Sequence, residues 1–444
     1  MATKSRILSA LLVSTVLATS AAGEFGPAGS VPLSLSQAVN LAVENNVDVR
    51  LAQTRTLQAR AKALKDSVDL LPQINGVVSQ SRVFKINLAA QGLGDFPGID
   101  PLLGPFNVFD ARVSLVQNVF DLSSIWSAKA GRKNIKVARL EEDLAREQVA
   151  SAAALAYVDL LREARSVEAS QADFDLSRSV FDLSRDQLKA GVATGVDVTR
   201  SEARQAEANV RLINARKRAR QASLRLARVT GLPFDKPIAP TDSIDFSSAT
   251  VTGFTDGALA RAQNDRLELG IANMLVEARE NELSSKRAEY APLLKAGGDV
   301  GVSGNDLGNA KRTGSIGARL EVPILKAETQ ADVRAARADL DEARLRQEDL
   351  RRSVEEDLRL AFDTLAAERE TVDATAKALV LAEKEMEMAK DRYSSGVGDN
   401  IQVITAQNAL AQAQDDRINA LATFTAARIN LGMAMGHGRT FQLN

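Results

Sequence analysis

The stretch AVNLAVENNVDVRLAQTRTLQARAKALKDSVDLLP, residues 38–72, decides the fold because the chain repeats its pattern 220 residues later. Residues 258–292 read ALARAQNDRLELGIANMLVEARENELSSKRAEYAP and align with the first stretch without a gap. A second shift, of 205 residues, lays residues 118–231 on residues 323–436. Self-similarity of this kind is typical of one structural unit built more than once. The sequence therefore predicts a duplicated fold.

The shift falls by 15 residues between the two aligned segments, so the first copy carries about fifteen additional residues. Residues 89–105, AAQGLGDFPGIDPLLGP, have the Gly- and Pro-rich composition of an inserted loop. The predicted organisation is a signal peptide at 1–22, a first repeat at 34–231, a connector at 232–257, a second repeat at 258–436 and a C-terminal tail at 437–444.

The first residues have the form of a secretory signal peptide. Lys4 and Arg6 precede an apolar run at residues 7–18, and small residues follow as far as Ala22. We expect cleavage near Ala22 and an exported mature chain. Because no later segment contains 18 consecutive apolar residues, we expect any insertion into a membrane to be made by strands.

The composition excludes several classes of function. Lys and Arg total 56 against 57 Asp and Glu, so there is no electrostatic case for nucleic acid as a partner. The chain has no cysteine and a single histidine, His437, which leaves no material for thiolate or multi-histidine metal sites or for histidine catalysis. We expect no enzyme activity, no cofactor and no metal. The basic residues at 216–220 are interpreted as a solvated helix face.

Long helices are predicted in both copies. Residues 128–189 contain no proline and are rich in good helix formers, which predicts one helix of about sixty residues, roughly 90 Å long. Residues 36–71 predict an opening helix, and a break at 191–195 is followed by a returning helix that ends near residue 229. Stacked end to end, these two shorter helices match the long one. A coiled-coil seam with the same spacing in both copies is predicted at Val149, Ala153, Ala156, Leu160 and Val167, and at Val354, Leu358, Ala361, Leu365 and Val372.

Between the opening and long helices the period changes from helical to alternating. Residues 84–88 and 110–115 alternate apolar with polar side chains, as do residues 315–322 in the second copy. One hairpin per repeat is predicted, at about 74–119 and 293–323. Four strands cannot close a barrel, and open sheet edges are not tolerated in lipid. If the strands span a membrane, several chains must share the barrel; a soluble sheet is the alternative.

The order of half helix, hairpin, long helix, glycine turn and half helix, repeated after a signal peptide, resembles the TolC-type outer-membrane efflux protein family. The resemblance covers nearly all of the mature chain. Its most specific marks are the turns AGVATGVDV at 190–198 and YSSGVGDNIQV at 393–403, which are similar to the family's helix-turn signature. The resemblance implies a mostly α fold with a membrane β-barrel portion: a homotrimer in which three chains share a twelve-stranded barrel and long coiled-coil helices form an α-barrel.

The resemblance also implies a place and partners. The protein is expected in the outer membrane of a Gram-negative bacterium, extending into the periplasm, with residues 89–105 on the extracellular side. It would act as the passive exit duct of a tripartite efflux pump or type I secretion system, and bind a periplasmic adaptor protein and an inner-membrane transporter. Residues expected at the adaptor-facing tips are Gly191, Val192, Gly195, Gly396, Val397 and Gly398.

The same resemblance predicts an entrance gate at Asp197, Asp399, Gln402 and Thr405. Well-known members carry acidic residues where Gln402 and Thr405 stand, so a charged ring here would depend on Asp399. Helix capping is the alternative role of both aspartates, and the tip glycines are also explained by left-handed turns alone. The rival functions are a periplasmic adaptor-like protein and a coiled-coil scaffold without a pore.

Overall fold

The computed structural model describes residues 30–88, 90, 102–242, 254–324 and 327–437. The signal peptide at 1–22 lies outside the described residues. The elements of the first copy are β1 Val31–Leu33, α1 Leu35–Asn45, α2 Val47–Asp66, a 3-10 turn Val68–Leu70, β2 Gln73–Val83, β3 Ile86–Asn87, β4 Leu102–Leu103, β5 Phe106–Phe120, α3 Leu122–Lys189, α4 Gly195–Thr230 and β6 Ile238–Pro240. Those of the second copy are α5 Asp256–Asp265, α6 Leu267–Ala288, β7 Leu293–Gly304, β8 Lys311–Glu321, α7 Ala327–Ser394 and α8 Asn400–Ala434.

Two helices of 68 residues each, α3 and α7, give the molecule its length of about 100 Å along the bundle. Helix α3 packs against α2 and α6 over one half, and against α4 and α8 over the other. The predicted long helix is confirmed and begins earlier than expected, because the Asp121 side chain accepts a hydrogen bond from Ser124 N and caps α3. None of the described helices is both long and apolar enough to cross a membrane.

The predicted opening helix is wrong in one respect: it is broken at Asn46 into α1 and α2, and ends at Asp66. Asn46 has an extended backbone, its side-chain oxygen caps α2, and its amide donates to the carbonyl of Val229 at the end of α4. The second copy breaks at the matching residue, Arg266, between α5 and α6. The break therefore marks the waist, where the shorter helices meet beside the long one.

Closely packed glycines fix this waist. Gly231 follows α4 with a φ of +73°, and a Cβ there would lie 2.9 Å from Asn45 Cβ. Its copy Gly436, with a φ of +82°, would bring a Cβ within 2.8 Å of the Asp265 backbone. Both positions need glycine for its left-handed backbone and for its lack of a side chain.

The cores of the two copies contain matched residues. Tyr157 is buried in the first core and its copy Phe362 in the second. The predicted seam is confirmed, with most of its positions buried and Ala156, Val167 and Ala361 half-buried. A parallel pair of short strands, β1 and β6, closes the first core, where the Tyr157 hydroxyl donates to Asp242 Oδ2 at 2.8 Å and lies 3.0 Å from Leu33 O.

The four long strands form one antiparallel sheet in the order β2, β5, β7, β8, so β5 and β7 join the two copies. The strand predicted at 84–88 is found only at Ile86–Asn87 and is not part of the long hairpin: β2 ends at Val83, opposite Phe106, and Phe84 is exposed. Pro105 lacks the N–H that a longer ladder would need. Ile86 and Asn87 instead pair with β4, so the end of the predicted insertion is a short strand. Residues 89 and 91–101 of the insertion lie outside the described residues.

Candidate functional site

The end of the bundle opposite the sheet carries two helix-to-helix turns. In the first, α3 ends at Lys189 and Gly191 adopts a φ of +75°. Val192 N then donates to Gln187 O at 2.9 Å, which satisfies a carbonyl that the helix end leaves free. Thr194 caps α4, because its hydroxyl accepts from Asp197 N. The turn is thus closed by backbone and cap hydrogen bonds at both helix ends.

The second turn uses the same chemistry with one difference. Gly396 has a φ of +73°, and Gly398 N donates to Arg392 O at 2.8 Å. A Cβ on Gly398 would lie 2.9 Å from the backbone of Arg392 and Tyr393, whereas a Cβ on Gly195 would meet nothing within 4 Å. Gly398 is therefore required by packing, and Gly195 faces open space.

The two turns lie side by side and expose apolar side chains. A Cβ on Gly396 would sit 3.5 Å from Val192 Cγ1. Val192 is 62 % exposed and Val397 is 75 % exposed. The six predicted tip residues therefore share one end of the molecule, and they present a small apolar surface there.

The four residues predicted to gate the entrance have only local partners within the described chain. Asp197 accepts from Thr194 N and Oγ1 at 2.9 and 2.7 Å, and Arg200 lies 3.8 Å away. These Thr194 hydrogen bonds lower the pKa of Asp197. Asp399 caps α8 through Ile401 N, and Thr405 Oγ1 donates to Ile401 O.

Just above the tips, a buried polar cluster joins the two hairpins. Asn400 Nδ2 donates to Ser184 Oγ at 3.0 Å and Ser201 Oγ at 2.9 Å, and Tyr393 OH lies 2.9 Å from Ser184 Oγ. Gln187 Nε2 also donates to Tyr393 O at 2.8 Å. The cluster therefore ties α8 and the end of α7 to both helices of the first hairpin. Sequence reasoning missed it, although Asn400 begins the face of α8 that continues with the buried Val403 and Ala406.

Comparison with known proteins identifies the family. The model of the outer membrane efflux protein family matches residues 38–232 and 258–437. The chain belongs to the outer membrane efflux protein family. Among curated relatives, it is 22 % identical to the pyoverdine export outer membrane protein OpmQ of Pseudomonas aeruginosa, covering 91 % of this chain and 85 % of OpmQ. It is also 22 % identical to the outer membrane protein TolC of Vibrio cholerae, covering 91 % of this chain and 90 % of TolC.

Solved structures share the fold of this efflux-family chain. The CmeC outer membrane channel of Campylobacter jejuni superposes with a TM-score of 0.81 at 18 % identity, covering 92 % of this chain and 87 % of CmeC. The outer-membrane channel OprN superposes with a TM-score of 0.79 at 18 % identity, covering 91 % and 90 % of the two chains. The predicted fold class, mostly helical with a tandem repeat and a strand portion, is confirmed.

The first hairpin of this efflux-family chain also contains an ion-pair stripe that sequence reasoning missed. Helix α4 carries four arginines seven residues apart, and their partners all lie on α3. The pairs are Arg204 and Arg211 with Asp173, Arg218 with Glu163, and Arg225 with Asp159. Arg218 is exposed, as the interpretation of 216–220 as a solvated face expects, and it also pairs with Glu163. Its spacing of seven from Arg211 and Arg225 is the signal that could have revealed the stripe.

The innermost pair of the stripe is buried. The side chains of Arg204 and Asp173 are 2 % and 7 % exposed, and the Nη2–Oδ1 distance is 2.6 Å. Burial raises the pKa of Asp173, an effect that Arg211 partly offsets. Asp415 on α8 lies near the same group, and burial raises its pKa as well. The second copy has Ala378 and Ala409 at the matching positions, so this cluster belongs to the first copy alone.

Proposed function

We propose that three copies of this chain form a passive duct through the outer membrane, with a shared twelve-stranded barrel continued by a tube of twelve helices. It conducts cargo outward for an efflux pump or a type I secretion system. The observation that carries the proposal is a four-stranded sheet with open edges and one apolar face, continuous with paired 68-residue helices.

The open edges of the sheet require partners. Among the described residues, strands β2 and β8 pair on one side only, which leaves a row of backbone groups along each without a partner there. In hydrocarbon each unpaired group costs several kcal/mol, so a sheet in lipid must close. Three copies joined edge to edge give twelve strands, enough for a barrel with an open lumen.

The two faces of the sheet differ in the way that a barrel needs. Residues that share rows on one face include Ile74, Leu115 and Ile316, and Ile316 is 94 % exposed. The other face carries Arg112, which pairs with Asp110 and Asp299. Apolar side chains outward and charged side chains inward are typical of a membrane barrel with a wet lumen.

The height of the apolar face fits a membrane. A register shift after Asn118 puts Phe120 opposite Leu294, on the apolar face rather than the polar one. Phe109 lies on the same face near the other end of β5. About ten residue steps of roughly 3.4 Å at a tilt of about 45° span about 24 Å, close to the apolar band of known barrels.

The helices also expose apolar residues that a neighbouring copy would cover. On α4, Val210 and Ile213 are exposed on the side away from the ion-pair stripe. On α7, Val380, Leu381 and Met388 are exposed at about heptad spacing. Contact between α4 of one copy and α7 of the next would bury both sets and close the tube.

The tips are the proposed contact with a periplasmic adaptor protein, which would link the duct to an inner-membrane transporter that supplies the energy. The exposed Val192 and Val397 support this proposal because an apolar end suits a protein partner. In a trimer, Asp197 and Asp399 would each occur three times around the entrance, with Gln402 and Thr405 beyond them. A ring of like charges attracts cations and repels itself, so closure there would depend on salt.

The test is single-channel conductance in a planar bilayer with the mass of the complex measured in parallel. Discrete conducting steps from a trimer are the expected result, and a water-soluble species that never enters lipid would refute the duct. Because a closed entrance would hide a working pore, Asn400→Ala is measured as well, since it removes the link between hairpins. The exposed Asn408→Ala is its control. A trimer silent in all three forms would also refute the proposal.

A further inference from the structure

The first helical turns below the sheet carry a run of positive charge. Residues 122–140 of α3 contain five basic residues and no acidic one. Four of them, at Lys129, Arg132, Lys136 and Arg139, are exposed. The fifth, Lys133, pairs with Glu277 on α6. Within the described part of the chain, Arg132, Lys136 and Arg139 form no side-chain ion pair.

These four cations lie on one side of α3. At about 100° per residue they fall within an arc of roughly 80°. Gly131 faces α2, where a Cβ would lie 3.2 Å from Ala63 Cβ, and Lys133 and Asn134 face α6. Around the axis of α3, the directions toward α2 and α6 leave one narrow and one wide free sector, and the cations lie in the wide one. In a closed ring of helices the wide sector is on the outside, so the stripe faces outward from the tube.

The stripe starts at the chain's single tryptophan. Trp126 comes six residues after Phe120, the last apolar-face residue of β5, and Lys129 Nζ lies 3.8 Å from the centre of its ring. From Trp126 to Arg139 the helix rises about 20 Å. Tryptophan favours the boundary between hydrocarbon and headgroups, and lysine and arginine beside it reach anionic headgroups.

We propose that this stripe binds anionic phospholipid headgroups of the leaflet next to the helices, with Trp126, Lys129 and Arg132 at headgroup depth and with Lys136 and Arg139 attracting the same headgroups from below through the screened field. The inference rests on the proposed function, which puts the sheet in a membrane. Charge complementarity and continuity with the apolar face of β5 favour a lipid surface as the occupant. Only the first copy has the complete stripe: the second keeps cations at three of the four positions, Arg334, Arg337 and Arg344, but has Ala331 at the tryptophan position and Asp341 in place of Lys136.

The single tryptophan makes the test direct. The reconstituted protein is studied in vesicles of phosphatidylcholine and phosphatidylglycerol in which only one of the two lipids carries bromine, a fluorescence quencher, near the top of its chains. We expect brominated phosphatidylglycerol to quench Trp126 more than brominated phosphatidylcholine at equal mole fraction. Each cation near the surface favours anionic lipid by up to about fivefold, and salt weakens the preference.

The charge-deleted variant is Lys129→Gln with Arg132→Gln and Arg139→Gln. Its control removes the same charges 205 residues later, as Arg334→Gln with Arg337→Gln and Arg344→Gln. The preference for the anionic lipid should fall toward unity in the first variant and persist in the second. Because each comparison is made within one variant, a change in the intrinsic brightness of Trp126 does not affect it.

Three results would overturn the inference: equal quenching by both lipids in the unaltered chain, a preference that survives the triple change, or conducting trimers in which neither lipid quenches Trp126. The last of these would leave the duct standing. Failure to insert at all would instead refute the proposed function, and the lipid site with it. If the triple variant does not assemble, the salt dependence in the unaltered chain and the single change Arg132→Gln decide the matter.

Discussion

Replacing Asp173 with alanine should loosen the middle of the first helical hairpin. The change leaves Arg204, whose side chain is 2 % exposed, without its carboxylate partner at 2.6 Å. Breaking a buried ion pair by removing one partner costs about 3–5 kcal/mol. Arg211 also loses Asp173, but its side chain is 39 % exposed and can be hydrated, so we expect little further cost.

Hydrogen exchange measured by mass spectrometry on the detergent-solubilised protein is the assay. A loss of about 3 kcal/mol in local opening free energy corresponds to about 150-fold faster amide exchange. We expect this acceleration in peptides covering 166–180 and 200–215, with little change in 371–385 of the second copy. Asp175→Ala is the control, because Asp175 is exposed and, among the described residues, its carboxylate hydrogen-bonds only with Gln171.

Equal exchange in the Asp173 and Asp175 variants would refute the reasoning. A double change, Asp173→Leu with Arg204→Leu, separates the loss of a pair from the loss of packing. Replacing both ions by apolar residues is often neutral or stabilising, so the double variant should exchange more slowly than Asp173→Ala. If it exchanged faster, the pair itself would be a net source of stability.

Three further outcomes are expected. Gly195→Val should leave the melting temperature unchanged, because a Cβ there meets nothing, and it should reduce export. Gly398→Val should lower the melting temperature, because its side chain would clash with the backbone of α7. Full export with Gly195→Val would argue against tip contact. Because the pKa of Asp197 is lowered in the folded chain, its carboxylate stabilises the start of α4 above the usual aspartate range, and this stabilisation is lost as the pH falls through the lowered value. Amide protection at 195–198 should drop over that pH range. At neutral pH, Asp197→Ala should lower the free energy of unfolding by about 1 kcal/mol. Cysteines at Ser184 and Ser201, whose hydroxyls are 2.9 Å apart, should form a disulfide readily in a chain that has no other cysteine, and failure to do so would contradict the helix register.

The features that the sequence predicted well are those set by local pattern. Good helix formers without proline produce α3 and α7, and the repeated seam is buried because a helix brings residues three and four apart onto one face. The break at Asn46 escaped prediction because its cause lies 183 residues away, at Val229 O. The strand predicted at 84–88 is found only at Ile86–Asn87 for a related reason: alternation describes a face, but only the partner strand decides where pairing ends.

The candidate site divides in the same way. The tip glycines indicate a turn from the local sequence alone. The structure then distinguishes Gly191 and Gly396, which have a left-handed backbone, from Gly195, whose conformation any residue can adopt. The polar cluster around Asn400 and the arginine stripe on α4 could not be derived from one helix at a time. Each depends on which residues of an antiparallel neighbour lie opposite, and an exposed arginine and a paired one look alike in sequence.

The contrast between the two hairpins suggests what the arginine stripe does. Seams rich in alanine are nearly uniform along a helix, so two antiparallel helices can slide by a heptad at little cost in apolar contact. In the first hairpin a slide of one heptad would remove Arg204 from Asp173. In one direction Arg211 takes its place and Arg204 is left buried without a carboxylate, and in the other direction Asp173 loses both arginines. The second hairpin has alanine at both matching positions, but Phe424 gives its seam a large side chain whose displacement would leave a cavity. The buried ions therefore fix the register of α3 against α4.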